Sequence, residues 1–477
     1  MTATRRRADP GRAPSRYRVW AAQVAAATPG ARDRTVDALR AVAIAGVVLG
    51  HWLVSAIVAD PDRPAALHGA SPLSALPALA PASWLFETLG LFFVAAGYAA
   101  ARPRRSTGHL HPPVDGAVRV PAGRSSWRTA ASRLRRPGVV RLAVPVLVLA
   151  AVWLPALLVL DLVGAPAETR RLVVSLVSHP LWFLAVYLVL AAAAPLLRRV
   201  MSRCGLWSVL PAVLAVTTVD AARGGGLPSW LAPVATPVAW SVPYLLGIAL
   251  AQGRLPRRAG GALLIGGIAG VALLLRLGYP ASAVGVPGDH WSNLDPPSLL
   301  ALALAAAQLG AFLLVRPWLA RLLSRPAAWA PIAGLNRAAM TVYCWHQSAL
   351  LLVTFAAVPL GRLPGLLDRP SAGWVAHRLY WLPVFAVTLV ALCRLFHRPH
   401  RRPVPIGPHR HPDPAGPHRS PDLVGPRRDP VPIGPRRCPD LVDPGAAGQA
   451  VSSSVASPCT ISTSPSESSQ RGRSAAV

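Results

Sequence analysis

Ten apolar runs, each long enough to form a membrane-spanning helix, dominate this chain. A helix needs about 20 consecutive apolar residues to cross the roughly 30 Å hydrocarbon core of a bilayer. Prolines interrupt several runs, which spanning helices tolerate where neighbouring helices satisfy the freed backbone groups. The pattern predicts an all-α, polytopic membrane helix bundle of about ten transmembrane helices with disordered termini. The predicted spans are about 36–58, 80–101, 140–162, 180–197, 204–220, 231–251, 259–279, 297–315, 338–358 and 374–396.

The charged residues support this interpretation and exclude a soluble protein. Only 14% of the residues are charged, whereas about a quarter are charged in a typical soluble domain. The net charge of +30 comes from 49 basic residues, all of them Arg, which lie between the apolar runs. Their position between spans is typical of topology signals rather than of a nucleic-acid surface. The sequence therefore predicts membrane lipids as partners and no nucleic acid.

The distribution of Arg predicts the orientation of the bundle. If the N-terminus is cytoplasmic, the inner segments carry 28 Arg and the outer loops carry eight, with Arg378 counted as outer. Positive charge is enriched on the cytoplasmic side of spanning helices. The count therefore favours a multi-pass protein of the plasma membrane with both termini in the cytoplasm.

Three segments follow from the pattern: a basic N-terminal segment 1–35, a transmembrane domain 36–397 and a cytoplasmic tail 398–477. The tail repeats a nine-residue unit from Pro403 and ends in a Ser-rich stretch. Pro and Gly are abundant in each unit and apolar side chains are few, so we expect this tail to be disordered. None of the five cysteines has the spacing of zinc ligands, so no metal site is predicted.

Ionisable residues inside predicted spans are the first candidates for function, because burying them in a membrane costs a few kcal/mol each. Arg40 and His51 are eleven residues apart, which puts them on one helix face about 16 Å apart along the axis. One interpretation pairs Arg40 with Asp37 as a snorkelling residue and bonds His51 to a backbone carbonyl. Glu87, in the second span, either orients His51 or neutralises a structural Arg.

Further polar and aromatic candidates lie at the ends of the other spans. Arg residues at the inner face are suited to bind phosphates, although positive-inside topology explains them almost as well. The remaining candidates are Tyr98 in the second span, Arg135, Arg136 and Arg141 before or within the third, His179 and Trp182 at the fourth, Asn293 before the eighth, and Tyr343 and His346 in the ninth.

In their order along residues 32–397, these motifs resemble those of the type-3 integral-membrane acyltransferase family, the acyltransferase 3 family. The resemblance rests on four matches. They are Arg40 and His51 with ten residues between them; Phe92, Phe93, Gly97 and Tyr98; the R-L-x-x-P motif of 141–145; and the L-W-F-L of 181–184 with the N-L-x-P-P of 293–297 and the Y-x-x-H of 343–346.

The resemblance implies a ten-span enzyme that moves acyl groups, often acetyl, onto envelope sugars, lipids or small molecules. It implies no bound cofactor, acyl-CoA (acetyl-CoA) as donor, and His51 as general base with Arg40 and Glu87 as catalytic partners. The donor phosphates would meet Arg40 and the inner-loop Arg residues. An envelope carbohydrate or lipid acceptor would enter from the outer side. The residues implied in substrate binding are Asp37, Arg135, Arg136, Arg141, Tyr98, His179, Trp182, Asn293, Tyr343 and His346.

Two other functions remain compatible with the sequence. A transporter or flippase of an envelope precursor also has many spans, broken helices and buried charges. Such folds favour internal repeats between their halves, and the sequence has none outside the tail. A catalytically inactive membrane scaffold is the third hypothesis, against which the paired Arg40 and His51 argue.

Overall fold

The computed structural model describes residues 15–63, 65–102, 137–223, 228, 230–286, 291–361 and 363–396. Residues 1–14 of the N-terminal segment and all of the tail 398–477 lie outside the described part. Within that part the chain is almost entirely helical, with one two-stranded sheet. The prediction of an all-α polytopic bundle is confirmed.

The helices follow the predicted spans closely. The sixth and tenth have the predicted bounds, and others differ at their ends: the helix of the ninth span begins at Pro326, twelve residues before its predicted start, and that of the eighth ends at Leu323, eight residues after its predicted end. In chain order the helices are α1 Arg16–Ala26, α2 Arg34–Val54, α3 Pro72–Ala75, α4 Leu89–Ala101, α5 Pro137–Leu162, α6 Ala167–Ser178, α7 Leu181–Cys204, α8 Leu210–Ala222, α9 Leu231–Ala251, α10 Arg258–Arg276, α11 Leu299–Leu323, α12 Pro326–Ala357 and α13 Trp374–Phe396.

Nine runs of helix in the described residues are long and apolar enough to cross a membrane. One of them, Ala167–Ala222, is 56 residues long and contains both the fourth and the fifth predicted span. The two spans are separate helices because α7 ends at Gly205, whose φ of +59° is a left-handed conformation that favours glycine. A 3₁₀ segment, Gly205–Val209, then leads into α8.

The second predicted span is divided into two helical pieces. A 3₁₀ helix, Pro77–Leu85, precedes α4, which starts at Leu89. Glu87 lies in the short break between them. The Thr88 hydroxyl donates to the carbonyl oxygen of Ala43 in α2, so the break is bonded to the helix that carries His51.

The prediction that the first span continues as helix to residue 58 is wrong. Helix α2 ends at Val54, and the apolar residues that follow form the strand β1, Ala56–Ala59. This strand pairs antiparallel with β2, Leu67–Ala70, with Ala56 opposite Ala70 and Ala59 opposite Leu67. All four residues of β1 are buried, so hydrophobicity alone did not distinguish a buried strand from the end of a helix.

Glycines allow α4 and α9 to pack with their backbones in contact. A Cβ at Gly97 would overlap the carbonyl oxygen of Tyr244, and a Cβ at Gly247 would overlap that of Val94. Small residues permit such close approach between membrane helices. Helices α10 and α11 pack in the same way at Gly267 and Gly310.

Helix α12 forms the centre of a second apolar cluster, in which it packs against α2 and α13. Every residue from 341 to 351 is buried, including polar residues. Phe92 of α4 packs against both this cluster and the one built on α4 and α9. The buried face of α12 therefore holds its polar side chains directly against α2.

Candidate active site

Three histidines from different parts of the chain come together in one cluster. His51 lies in the last turn of α2, His346 lies in the middle of α12, and His179 follows α6. The ring centroid of His51 is 5.1 Å from that of His346 and 5.3 Å from that of His179. His179 is exposed, His51 is half-buried and His346 is fully buried, so the cluster opens on the side of His179.

The hydrogen bonding of His346 determines which of its ring nitrogens carries the proton. Its Nδ1 lies 2.7 Å from the carbonyl oxygen of Tyr343, which can only accept a hydrogen bond. Nδ1 therefore holds the hydrogen in the neutral ring, and Nε2 keeps its lone pair. Among the described residues this buried Nε2 has no hydrogen-bond partner. The cluster thus contains an unoccupied hydrogen-bond acceptor next to His51.

Tyr343 anchors the cluster to the segment that carries His179. Its hydroxyl donates to the carbonyl oxygen of Pro180, 2.7 Å away. Because Pro180 follows His179 directly, this bond connects α12 to the chain at His179. Tyr343 and His346 are one turn apart on α12, as predicted, and both point toward the same cluster.

A line of aromatic rings connects the histidine cluster to Arg40. The Tyr343 ring lies 5.2 Å from that of Phe183, and the Phe183 ring lies 4.7 Å from that of Phe92. The Arg40 Cζ is 5.8 Å from the centroid of Phe92. Arg40 and His51 are thus joined along α2 by the helix itself and, beside it, by packed aromatic side chains.

Arg40 does not pair with Asp37, contrary to the interpretation of Arg40 as a snorkelling residue held by that carboxylate. Asp37 forms an ion pair with Arg32 instead, with Oδ2 2.5 Å from the Arg32 Nε. The Nε of Arg40 is buried and has no hydrogen-bond partner in the described part of the chain. A half-buried guanidinium whose buried Nε is unused is suited to bind an anionic group that the protein itself does not supply.

Tyr98 of α4 lies at the N-terminal end of α2 and belongs to a polar cluster there. Its hydroxyl donates to the Asp33 Oδ2 at 2.8 Å, and the Arg316 guanidinium binds the same oxygen at 2.7 Å. Burial favours a raised pKa for the Asp33 carboxyl, but hydrogen bonds from Thr35 and Tyr98 and the charge of Arg316 lower that pKa to about 2. Asp33 also caps α2 by accepting from the Thr35 and Val36 N–H groups.

Glu87 is buried, and the described contacts join it neither to His51 nor to an Arg. Its Oε1 accepts a hydrogen bond from the Leu89 N–H at 3.2 Å, at the start of α4. Carboxylates are favourable at this end of a helix because several N–H groups there lack partners. Among the described residues Glu87 forms no ion pair, so its observed bond stabilises the start of α4.

Asn293 uses its polar atoms within its own loop. Its amide donates to the carbonyl oxygens of Pro280 and Ser282, each at 2.8 Å, and its Oδ1 accepts from the Ser298 hydroxyl at 2.7 Å. The residue is completely buried. These contacts fix the segment before α11 rather than leaving a free amide for an acceptor.

Of the remaining candidates, only Trp182 has a described side chain. Its ring packs edge-on to Phe183, 6.2 Å away, on the first turn of α7. Arg135 and Arg136 lie outside the described residues, as does the side chain of Arg141. In the described ranges, no group of three or more His, Cys, Asp or Glu side chains is arranged to bind a metal ion.

Sequence reasoning missed two residues that hold this region together. Arg378 was counted as an outer-loop charge, yet it lies fully buried in α13 and binds backbone carbonyls. Arg316 was counted in an inner loop, yet it lies in α11 and binds Asp33. The clue for Arg378 was its position inside an apolar run, where an unpaired charge requires a buried partner.

Comparison with known proteins identifies the family. No curated protein and no solved structure matches the chain significantly. The acyltransferase 3 family, described as an acyltransferase domain, matches residues 33–396, well over half of the chain, and so confirms the resemblance found in the motifs. The matched region includes all three histidines and Arg40. The chain therefore belongs to the acyltransferase 3 family and is a multi-pass membrane acyltransferase.

Proposed function

We propose that this protein transfers an acyl group, in the first instance acetyl, from acyl-CoA to a hydroxyl or amine of an envelope glycan, lipid or small molecule. The donor binds from the cytoplasmic face of the plasma membrane, where both termini lie. The observation that carries the proposal is the pair of unsatisfied buried groups, the Arg40 Nε and the His346 Nε2. One is an unused donor for an anion and the other an unused acceptor for a hydroxyl.

In this proposal Arg40 binds the phosphates of the donor. Guanidinium groups bind phosphate oxygens in bidentate fashion, and the unpartnered Nε leaves this group available. The distance of about 16 Å along α2 from Arg40 to His51 is comparable to the length of a pantetheine arm. The stretch of α2 between Arg40 and His51 is lined by the rings of Phe92, Phe183 and Tyr343. These rings provide an apolar surface for that arm.

The histidine cluster then carries out the chemistry. The acceptor enters past His179 and donates a hydrogen bond to the His346 Nε2 from a second polar hydrogen, that of a neighbouring hydroxyl or the other N–H of an amine, which orients its nucleophilic atom. His51 removes the acceptor proton as that atom attacks the thioester carbonyl. The new bond to the acyl carbon replaces the carbon–sulfur bond. The proton returns from His51 to the CoA thiolate, so that acylated acceptor and free CoA leave.

The test uses membranes that contain the native chain, His51→Ala or His68→Ala, supplied with labelled acetyl-CoA. His68 is a matched control because it is an exposed histidine of strand β2. Loss of a general base lowers turnover by about 10² to 10⁴-fold. We expect label in envelope lipid or glycan from the native and His68→Ala chains, and none above background from His51→Ala.

Two results would contradict the proposal. Equal transfer by the native chain and His51→Ala would remove His51 from the mechanism. The absence of transfer by the native chain, tested with several acyl donors and with envelope acceptors present, would favour the transporter or scaffold hypotheses.

A further inference from the structure

Arg378 is a fully buried charge that forms no direct ion pair in the described part of the chain, although the Asp368 carboxylate acts on it electrostatically from a greater distance. Its side chain is 0% exposed. Burying an isolated guanidinium is unfavourable unless its donors are bonded. Within the described residues it forms no ion pair, and its donors bind three backbone carbonyl oxygens instead. These are Trp52 at 2.7 Å from Nε, Ser55 at 2.7 Å from one terminal nitrogen, and Gly365 at 3.0 Å from the other.

Two of these carbonyls lie at the C-terminal end of α2, that of Trp52 within the helix and that of Ser55 just after it. The last carbonyls of a helix have no partner within it, and a cation there is favourable. The Ser55 N–H already satisfies the His51 carbonyl at 3.0 Å. Arg378 binds the next free carbonyl, that of Trp52, and the one beyond the helix, that of Ser55. It therefore caps α2 directly after the residue proposed as general base.

The planar shape of the guanidinium suits this position. The Arg378 Cζ lies 4.8 Å from the Phe385 ring centroid and 5.1 Å from that of Trp374. Both rings belong to α13, so they fix the orientation of the group that reaches across to α2. A Lys ammonium has neither the planar fork nor the stacking surface.

Trp52 extends the connection from α2 to α12. Its indole N–H donates to the carbonyl oxygen of His346 at 2.9 Å, and its ring packs against Phe385 at 5.5 Å. Bonds thus run from Arg378 to the backbone of Trp52, and from the side chain of Trp52 to the backbone of His346. Trp52, which follows His51 directly in the chain, is therefore bonded to both Arg378 and His346.

We infer that Arg378 and Trp52 are positioning residues that set His51 against His346. This inference rests on the proposed function of those two histidines. Neither Arg378 nor Trp52 contacts the reacting atoms. They fix the backbone on both sides of the cluster, so that the acceptor atom oriented by His346 lies within reach of His51.

The sharpest test compares Trp52→Phe with Trp374→Phe. Each substitution removes one buried indole N–H beside Arg378. The Trp52 N–H binds His346, whereas the Trp374 N–H has no partner among the described residues. A displacement of about 1 Å at a catalytic group lowers turnover by up to about a hundredfold. We expect Trp52→Phe to lower kcat at least about tenfold with an unchanged KM for acetyl-CoA. We expect Trp374→Phe to keep the native kcat, because Phe retains an aromatic ring against the Arg378 guanidinium and loses only an N–H that bonds nothing in the described residues.

Arg378→Lys and Arg378→Gln test the other end of the line. Both are expected to lower kcat in protein that remains inserted and folded, with Lys unable to restore it. Since Arg378 acts through Trp52, the double variant Trp52→Phe, Arg378→Lys should lose much less than the product of the two single losses. A purely structural Arg378 would lower the melting temperature and leave the turnover of the folded fraction native.

A second readout does not depend on acyl transfer. The rate at which diethyl pyrocarbonate modifies His51, followed by peptide mass spectrometry, reports how its ring is held. It should change in Trp52→Phe and Arg378→Lys and stay native in Trp374→Phe. If the native chain transfers no label, the proposed function fails, and this rate still tests the positioning. Native modification rates in all variants, or a native kcat for Trp52→Phe, would overturn the inference.

Discussion

Gly97 lies against the backbone of Tyr244 so closely that a methyl group on its Cα would overlap the carbonyl oxygen of Tyr244. The reciprocal contact, between Gly247 and the carbonyl oxygen of Val94, lies one turn away on the same two helices. A backbone oxygen cannot move aside as the end of a flexible side chain can. The pairing of α4 with α9 therefore depends on the absence of two side chains.

Replacing Gly97 with Ala should destabilise the bundle. Forcing a methyl group into packed backbone costs about 1–3 kcal/mol. We expect a lower melting temperature in detergent for Gly97→Ala and for Gly247→Ala. Gly266→Ala in α10 is the control, because a Cβ there meets nothing within 4 Å. That variant should match the native protein or exceed its stability by up to about 1 kcal/mol. Equal melting temperatures for Gly97→Ala and Gly266→Ala would show that the helices separate easily.

Arg40→Lys should weaken binding of the acyl donor. A hydrogen bond to a charged group contributes about 1.5–3 kcal/mol, which corresponds to a rise of about 10- to 100-fold in KM for acetyl-CoA. Arg34→Lys, on the same helix, is the control, because the Arg34 guanidinium already binds the Leu323 carbonyl at 2.8 Å and stacks on Trp329. Steady-state kinetics with varied donor measures both variants. A native KM for Arg40→Lys would exclude Arg40 from the donor site.

Two substitutions of His346 should distinguish the role of its Nδ1 from the role of its Nε2. The amide of His346→Asn can replace the Nδ1 bond to Tyr343 but does not reach the position of Nε2. The longer side chain of His346→Gln carries an acceptor oxygen to that position. We expect His346→Asn to lower kcat/KM for the acceptor about 10- to 100-fold, the effect of losing one bond of about 1.5–3 kcal/mol, and His346→Gln to retain more activity. Measured rates in the opposite order would mean that the Nδ1 contact, not Nε2, matters for transfer.

Asp33 should contribute stability that depends on pH. Its folded pKa of about 2 lies below the unfolded value of about 3.9. The stabilisation is therefore fully present well above about pH 4 and is lost as the pH falls through about 2, below which both states are protonated. Asp33→Asn keeps an effective N-cap but loses the charge that pairs with Arg316. The gap in unfolding free energy between native and Asp33→Asn protein should be about 2 kcal/mol at pH 6 and shrink below pH 4. A gap that does not change with pH would contradict the ion pair.

The sequence predicted the spans well because each is a long apolar run, and length and hydropathy determine membrane insertion. It also predicted that Tyr343 and His346 share one face of a helix. It did not predict the strand β1, because four buried apolar residues at the end of a longer run look like one more helical turn. The sequence also placed the end of the fourth span at 197, whereas α7 continues to Cys204 and the break follows at Gly205.

The sequence predicted most residues of the candidate site but not the contacts between them. His51, His179 and His346 were each candidates, but their meeting depends on how three distant segments pack, which no local pattern contains. The partner of Asp37 was assigned by helical spacing to Arg40. Arg32, which lies just before α2, binds Asp37 instead. The count of charges placed Arg378 among the outer-loop residues. Such a count cannot distinguish an Arg that sets the membrane orientation from a buried Arg that caps a helix.

Helix α2 is fastened at both ends by arginines from other helices, Arg316 at Asp33 and Arg378 at Trp52 and Ser55. A helix that is bound at both ends in this way cannot shift along its axis or rotate to accommodate an inserted residue. One inserted residue would lengthen the interval from Arg40 to His51 by only about 1.5 Å but turn His51 about 100° away from His346. An insertion between Arg40 and His51 would therefore change the direction of His51 far more than its distance from Arg40, and we expect insertions to be tolerated only in the loops outside the two arginine contacts.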